Sequence, residues 1–327
     1  REAQTLASMR SRHTIELYDY GVTDDGTFFY VMELLDGLDL SDLVREHGPQ
    51  PAARVIRIIS QACQSLAEAH DAGLLHRDVK PANIELCRAA DEVDIVKVLD
   101  FGIVHNIADP IGPMRIPTRH APTDSGERLT SEGAVIGTPG YIPPEQAVAA
   151  SVDGPAAGGP GSTASAVRRT IDPRGDLYAL GCVAWYLLVG SEVYPRTSED
   201  EVLRAHVYDP IPSLRERVRG WLPVELERLI VQCLAKRPED RPPDARTLAR
   251  ALNAIEIPDE HAWTETEAQL WWSQLELTRK KADVETASDN ERLLVPQRAT
   301  TTTSVDSPNV SPPEARTVGA RPAGRTS

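Results

Sequence analysis

The chain is short of several things, and each shortage removes a class of protein. Its 327 residues hold four cysteines, Cys63, Cys87, Cys182 and Cys233, too widely spaced for a CxxC pair. That argues against a disulfide framework and a cysteine-built zinc site, and suits a reducing compartment. Basic residues are outnumbered: 35 Lys and Arg against 49 Asp and Glu leave a formal net charge of −14. Aromatics make up 5% of the chain, so neither a cationic surplus nor a stacking platform points to nucleic acid. No window approaches the ~18 uninterrupted apolar residues of a membrane span, and the first residues lack the apolar stretch of a signal peptide. The sequence as written is expected to be soluble and cytoplasmic, with membrane attachment through another segment left open. The hydrophobic share of 41% is enough for a real core, so wholesale disorder is ruled out. The length suits a bilobal domain with a tail, or two domains.

Periodicity supplies the elements. Arg1–Met9 reads as the last turns of a helix, followed by strands over Ile15–Gly21 and Thr27–Leu35 around the turn Thr23–Gly26. After the punctuation His47–Pro51, Val55, Ile58, Ile59, Ala62, Leu66 and Ala69 recur on one helix face, and Gly73 marks its stop. Ile84–Cys87 and Ile95–Leu99 suit a hairpin. Leu177–Gly190 is apolar nearly all round, which predicts a helix buried on every side but too short to span a bilayer. Amphipathic helices are expected at Leu222–Leu234, Thr247–Ile255 and Thr264–Arg279. Two stretches, 106–135 and 151–170, are loop-like in composition, and 296–327 reads as a disordered Thr/Ser/Pro-rich tail.

Three strings carry chemistry. The first is His76-Arg77-Asp78-Val79-Lys80-Pro81-Ala82-Asn83, directly after the amphipathic helix. The second is Asp100-Phe101-Gly102, directly after an apolar strand. The third is Gly137-Thr138-Pro139-Gly140-Tyr141, followed by Pro144-Glu145. Each alone is weak, but the ordered set resembles the catalytic, magnesium and P+1 loops of eukaryotic-like (Hanks-type) protein kinases of the bacterial serine/threonine kind. The likeness covers roughly residues 1–255.

That resemblance implies the α+β protein kinase fold: an incomplete small lobe of helix C and following strands, then a mainly helical large lobe. It divides the chain into a kinase domain (1–256), a helical extension (257–295) and the tail (296–327). It implies transfer of the γ-phosphate of MgATP to Ser/Thr hydroxyls of protein substrates, in signalling. Asp78 is implied as the base that accepts the hydroxyl proton, Asn83 and Asp100 as magnesium ligands, and Lys80 as a γ-phosphate contact. Thr138 matches the threonine that meets Asp78 and Lys80. Met32 matches the gatekeeper, and Glu33–Leu35 the adenine hinge. Asp176 resembles the aspartate that ties the catalytic loop from beneath, Arg241 the partner of Glu145, and Leu6, Leu17, His76 and Phe101 the regulatory spine. Arg77 implies a phosphorylated partner, with Thr118, Thr123, Ser125, Thr130 and Ser131 as candidates and Thr130 or Ser131 favoured. Autophosphorylation is expected in 106–135 or among the ten Ser/Thr of 299–327.

The sequence also departs from the family pattern. Glu2 resembles the helix-C glutamate, but no strand-3 lysine or glycine-rich loop precedes it, so the chain reads as an N-terminally truncated kinase. Glu85 stands where the family has an apolar floor beneath adenine. A carboxylate there is costly to desolvate unless it reaches water or a cation, so either the strand register slips or nucleotide affinity falls. These departures keep an alternative open, a catalytically impaired, pseudokinase-like scaffold. The segment Trp263–Trp272 is either a helix packed on the large lobe or a partner-binding site, the first being favoured.

Overall fold

The computed structural model describes residues 2–24, 26–101, 138–152 and 172–293, so the loop-like stretches and the tail named above lie almost wholly outside the described residues. Two units separate, Arg1–Gln274 and Leu275–Ser327.

The first unit begins with α1 (Glu2–Ser8) and an antiparallel ribbon of β1 (Leu17–Val22) and β2 (Phe28–Met32). The hinge-side residues Glu33–Leu35, expected to extend β2, are not part of the strand. A short strand β3 (Asp36–Asp39) leads straight into α2 (Leu40–His47), whose N-terminus is capped by the Asp39 carboxylate accepting from the amides of Ser41 and Asp42. Then comes α3 (Ala52–Asp71), which buries all six of the residues predicted to form its inner face. It stops where expected. Gly73 adopts φ 72°, and the amides of Gly73 and Leu74 return to the carbonyls of His70 and Ala69, the Schellman arrangement that satisfies a helix end.

β4 (Ile84–Ala89) and β5 (Glu92–Val98) form the expected hairpin and pair with β3 in the order β3-β4-β5. The remaining helices are α4 (Pro144–Val152), α5 (Arg174–Val189), α6 (Glu199–Tyr208), α7 (Val224–Cys233), α8 (Ala245–Asn253) and α9 (Glu265–Leu293). α5 is the axis of the core: every residue except Arg174, Tyr186 and Val189 is buried. This is the all-round apolar helix read from the sequence, and Gly190, at φ 82°, ends it.

The residues between α1 and β1 are tied down rather than loose. The Ile15 amide donates to the Val98 carbonyl (3.0 Å) and the Val98 amide to the His13 carbonyl (2.8 Å). The carboxylate of Glu68, on α3, accepts from the amides of Arg10 (2.8 Å) and Ser11 (2.7 Å). The start of the chain is thereby docked onto α3 and β5, the two elements that lead into the motif residues.

Trp263–Trp272 packs onto the same two elements. Arg54 of α3 and Asp94 of β5 form an ion pair at 2.7 Å with both side chains at most 1% exposed. The Asp94 carboxylate also accepts from the indole nitrogens of Trp263 (2.6 Å) and Trp272 (2.8 Å). The Arg54 guanidinium lies over the rings of Trp263 (4.6 Å) and Trp271 (4.0 Å). Arg54 also donates to the Gln50 side chain at 2.9 Å, so two tryptophans complete the hydrogen bonding of Asp94 while Trp263 and Trp271 cover the guanidinium. Within the second unit, Glu276 and Lys280 form an i,i+4 ion pair at 2.5 Å.

Because a lone buried charge is far costlier than a matched pair, Asp94→Ala is expected to destabilise the protein by about 3–5 kcal/mol. The double variant Arg54→Met with Asp94→Leu should recover most of that loss. Urea unfolding checks this, and a double variant no more stable than Asp94→Ala would contradict it.

Candidate active site

The residues of the first string sit on a loop held from below. Asp176, at the start of the buried helix α5, accepts hydrogen bonds from the amides of His76 (2.9 Å) and Arg77 (2.9 Å) and from the His70 ring (2.8 Å). Burial by itself raises the Asp176 carboxyl, but the His70 hydrogen bond and the neighbouring His76 outweigh it and hold the group below its ordinary value. The grip fixes a turn that the backbone does not favour: Arg77 has φ 65°. His76 is fully buried against the Phe101 ring at 4.7 Å between centroids, and burial lowers its pKa. Leu6 is buried as well, and Leu17 is half-buried.

Above this support the motif residues converge. The Lys80 ammonium lies 2.7 Å from the Asp78 carboxylate and donates to the Thr138 hydroxyl at 3.1 Å. The Asn83 amide nitrogen donates to the carbonyl (2.8 Å) and the carboxylate (3.0 Å) of Asp78. Four residues from two of the strings therefore form one hydrogen-bonded set. With its nitrogen so engaged, Asn83 has its side-chain oxygen left for another partner. Asp100 follows β5 in a left-handed conformation (φ 48°), exposed, and near enough to His76, Lys80 and Asp78 to feel their charges. The asparagine oxygen and the Asp100 carboxylate are hard oxygen donors of the kind magnesium takes. Among the described residues there is no group of three or more His, Cys, Asp or Glu that could cage a metal alone. A magnesium site here suits an ion shared with a substrate's phosphates.

The hinge residues are placed differently from one another. Met32 ends β2 opposite Leu17 and is 42% exposed. Glu33 turns its carboxylate to the Lys97 ammonium at 2.5 Å and accepts the Glu16 amide at 2.8 Å. Leu35 is half-buried. Lys97 stands on β5 directly opposite Glu85 on β4, so a cation faces the unexpected carboxylate. The register runs regularly through Glu85 and becomes irregular only between Cys87 and Ala89, so the local slip considered above does not occur. Glu2 opens α1, but its side chain lies outside the described residues, as do the activation-segment candidates Thr118, Thr123, Ser125, Thr130 and Ser131.

Two supports were legible and one was not. Arg241, buried, forms a bidentate pair with Glu145 (2.8 and 2.7 Å) and also donates to the carbonyls of Ala235, Arg174 and Lys236. Asp176 sits as expected. His70 was missed, because nothing in a helix repeat marks one histidine as facing a carboxylate more than a hundred residues away. Lys97 was legible in principle: aligning the two strands of the hairpin places it across from Glu85.

Since the Asp176 pKa is lowered in the folded state, its contribution to stability is present above the unfolded value and is lost as pH falls through the folded one. Asp176→Asn is expected to be less stable at neutral pH and to lose less on further acidification from pH 5 to pH 3. Urea midpoints at the two pH values test this, and an unchanged acid slope in the variant would contradict it.

Comparison with known proteins gives the same picture. Residues 1–253 match the family model described as protein kinase domain. Serine/threonine-protein kinase pkn3 of Myxococcus xanthus is 34% identical over 257 residues, covering 78% of this chain and 41% of that protein. Serine/threonine-protein kinase PknB of Mycobacterium tuberculosis is 38% identical over 245 residues, covering 74% and 33% respectively. The crystal structure of the Mycobacterium tuberculosis PknI kinase domain superposes with a TM-score of 0.51 at 25% identity, covering 80% of this chain and 77% of that one. The chain spans less than half the length of the two curated relatives. With the match running from α1 through α8 and across every motif string, the chain belongs to the protein kinase family and is homologous to its bacterial Hanks-type serine/threonine members.

Proposed function

We propose that this chain is the catalytic domain of a serine/threonine protein kinase that transfers the γ-phosphate of MgATP to a protein hydroxyl. The observation that carries the reading is the linked set Asp78–Lys80–Thr138–Asn83, held over Asp176. In this reading Asp78 accepts the proton of the attacking hydroxyl. Lys80 bridges Asp78 and Thr138 and offers its charge to the transferred phosphoryl group. Asn83 and Asp100 hold magnesium, which when bound neutralises the phosphates. Serine/threonine specificity is supported by Lys80, two residues after Asp78, and by the names of the relatives.

Glu33 to Leu35 form the adenine side of the site, with Met32 behind them. Glu2 is assigned the helix-C role. The domain division at 256 and 296, autophosphorylation within 106–135 or 299–327, and a cytoplasmic location belong to the same proposal. No helix among the described residues is long and apolar enough to cross a membrane.

In the natural full-length protein, Asp78→Asn should lower phosphotransfer by at least about a thousandfold while the melting temperature stays within a few degrees. Activity kept within tenfold of wild type would remove Asp78 from its role. One observation favours the scaffold alternative, the carboxylate of Glu85 on the strand expected to floor the nucleotide. Glu85→Leu is expected to tighten ATP binding, measured calorimetrically, and an unchanged affinity would show that Glu85 does not lie under the base.

A further inference from the structure

Glu192 is a carboxylate in an unusual position. It lies just beyond α5, is half-buried, and takes part in no hydrogen bond or ion pair with the described residues. Burial pushes its pKa up, and no donor opposes that rise. Its carboxyl group is pressed against the loop that carries Thr138. A methyl group added at Gly140 would sit 2.5 Å from the Glu192 carboxyl oxygen. The same carboxylate acts on the phenols of Tyr141 and Tyr186.

Among the described residues, the nearby cations are engaged elsewhere. Arg45, which also acts on Tyr186, is held by Asp42 (2.5 Å) and Glu46 (3.0 Å). Arg196, four residues on, is held by Asp209 at 2.7 Å. Lys236 donates to the Tyr194 hydroxyl and to the carbonyls of Ala205 and His206. A half-buried acid without a counter-ion costs stability unless something supplies one.

The position of the acid relative to the motif residues suggests what that is. Asp78 reaches Thr138 through the Lys80 ammonium, at 2.7 and 3.1 Å. Thr138 and Gly140 are two residues apart, at most about 7 Å of backbone. A polypeptide whose hydroxyl lies at Asp78 and which runs along Thr138–Tyr141 therefore brings a neighbouring side chain to Glu192.

We propose that Glu192 is a specificity-determining residue that receives a lysine or arginine of the protein substrate, within three residues of the phosphorylated Ser or Thr. The proposal rests on the kinase reading given above. It requires no other acidic residue, and it gives a role to a carboxylate placed against a buried glycine.

The test uses the full-length protein and a set of serine peptides, each with a single Lys or a single Glu at one of the six positions flanking the acceptor. At one or two positions, Lys should raise kcat/KM at least about fivefold over Glu, as expected for a partly desolvated ion pair. In Glu192→Gln, which keeps the side chain's shape, that ratio should fall towards one, and in Glu192→Lys it should invert. A wild-type protein indifferent to charge at every position, or a preference unchanged in both variants, would overturn the assignment. Fluorescence anisotropy with the matching alanine-acceptor peptides separates this from the kinase reading. If no peptide were phosphorylated, the kinase reading would fail, while tighter binding of Lys peptides by wild type than by Glu192→Gln would still support Glu192 and equal binding would overturn it.

Discussion

The candidate active site depends on one buried carboxylate. Asp176 sits at the first turn of a helix that has almost no solvent-facing side, so its backbone cannot move without disturbing the core. From there it receives two consecutive amides of the motif loop and the ring of His70. Three donors on one carboxylate hold that loop in a turn with Arg77 at positive φ, which costs about 1–2 kcal/mol for a side chain of this kind. The strain is tolerated because the helix beneath is rigid and the acid is better satisfied there than in water. Asp78, Lys80 and Asn83 inherit their positions from this grip.

A second buried charge secures the other ends of the same elements. α3 is a 20-residue helix, about 30 Å long. Near its start Arg54 meets Asp94, and near its end His70 meets Asp176. Asp94 also lies near the start of β5, six residues before Asp100. The tryptophans of Trp263–Trp272 therefore close over the point from which both sides of the site extend. They lie beyond the span matched by the kinase family, residues 1–253, yet they complete the hydrogen bonding of a residue pair inside it.

Much of this was open to sequence reasoning where the signal is local. The inner face of α3, the all-round burial of α5 and the β4–β5 hairpin follow from periods of 3.6 and 2, and the motif strings fix the order of the site residues. What escaped is carried by contacts distant in sequence or masked by polar composition. β3 reads Asp-Gly-Leu-Asp and shows no strand pattern, because only Leu38 is buried. α2 and α6 are short, at eight and ten residues, and draw their definition from the caps Asp39 and Ser198 and from packing. The Trp–Arg–Trp sandwich, the His70–Asp176 bond and the approach of Glu192 to Gly140 each join segments between about 50 and more than 200 residues apart. No local pattern encodes them. Glu85 shows the intermediate case: its oddity was visible, but its cationic neighbour appears only once the hairpin register is known.

The most direct test of this account is amide hydrogen exchange at His76 and Arg77. If Asp176 is the anchor, these two amides exchange slowly in the wild-type protein. In Asp176→Asn they should exchange at least about a hundredfold faster, while the amides of central α3 keep their protection. Equal protection of His76 and Arg77 in the two proteins would mean that the loop holds its shape without the carboxylate, and the account built on it would be wrong.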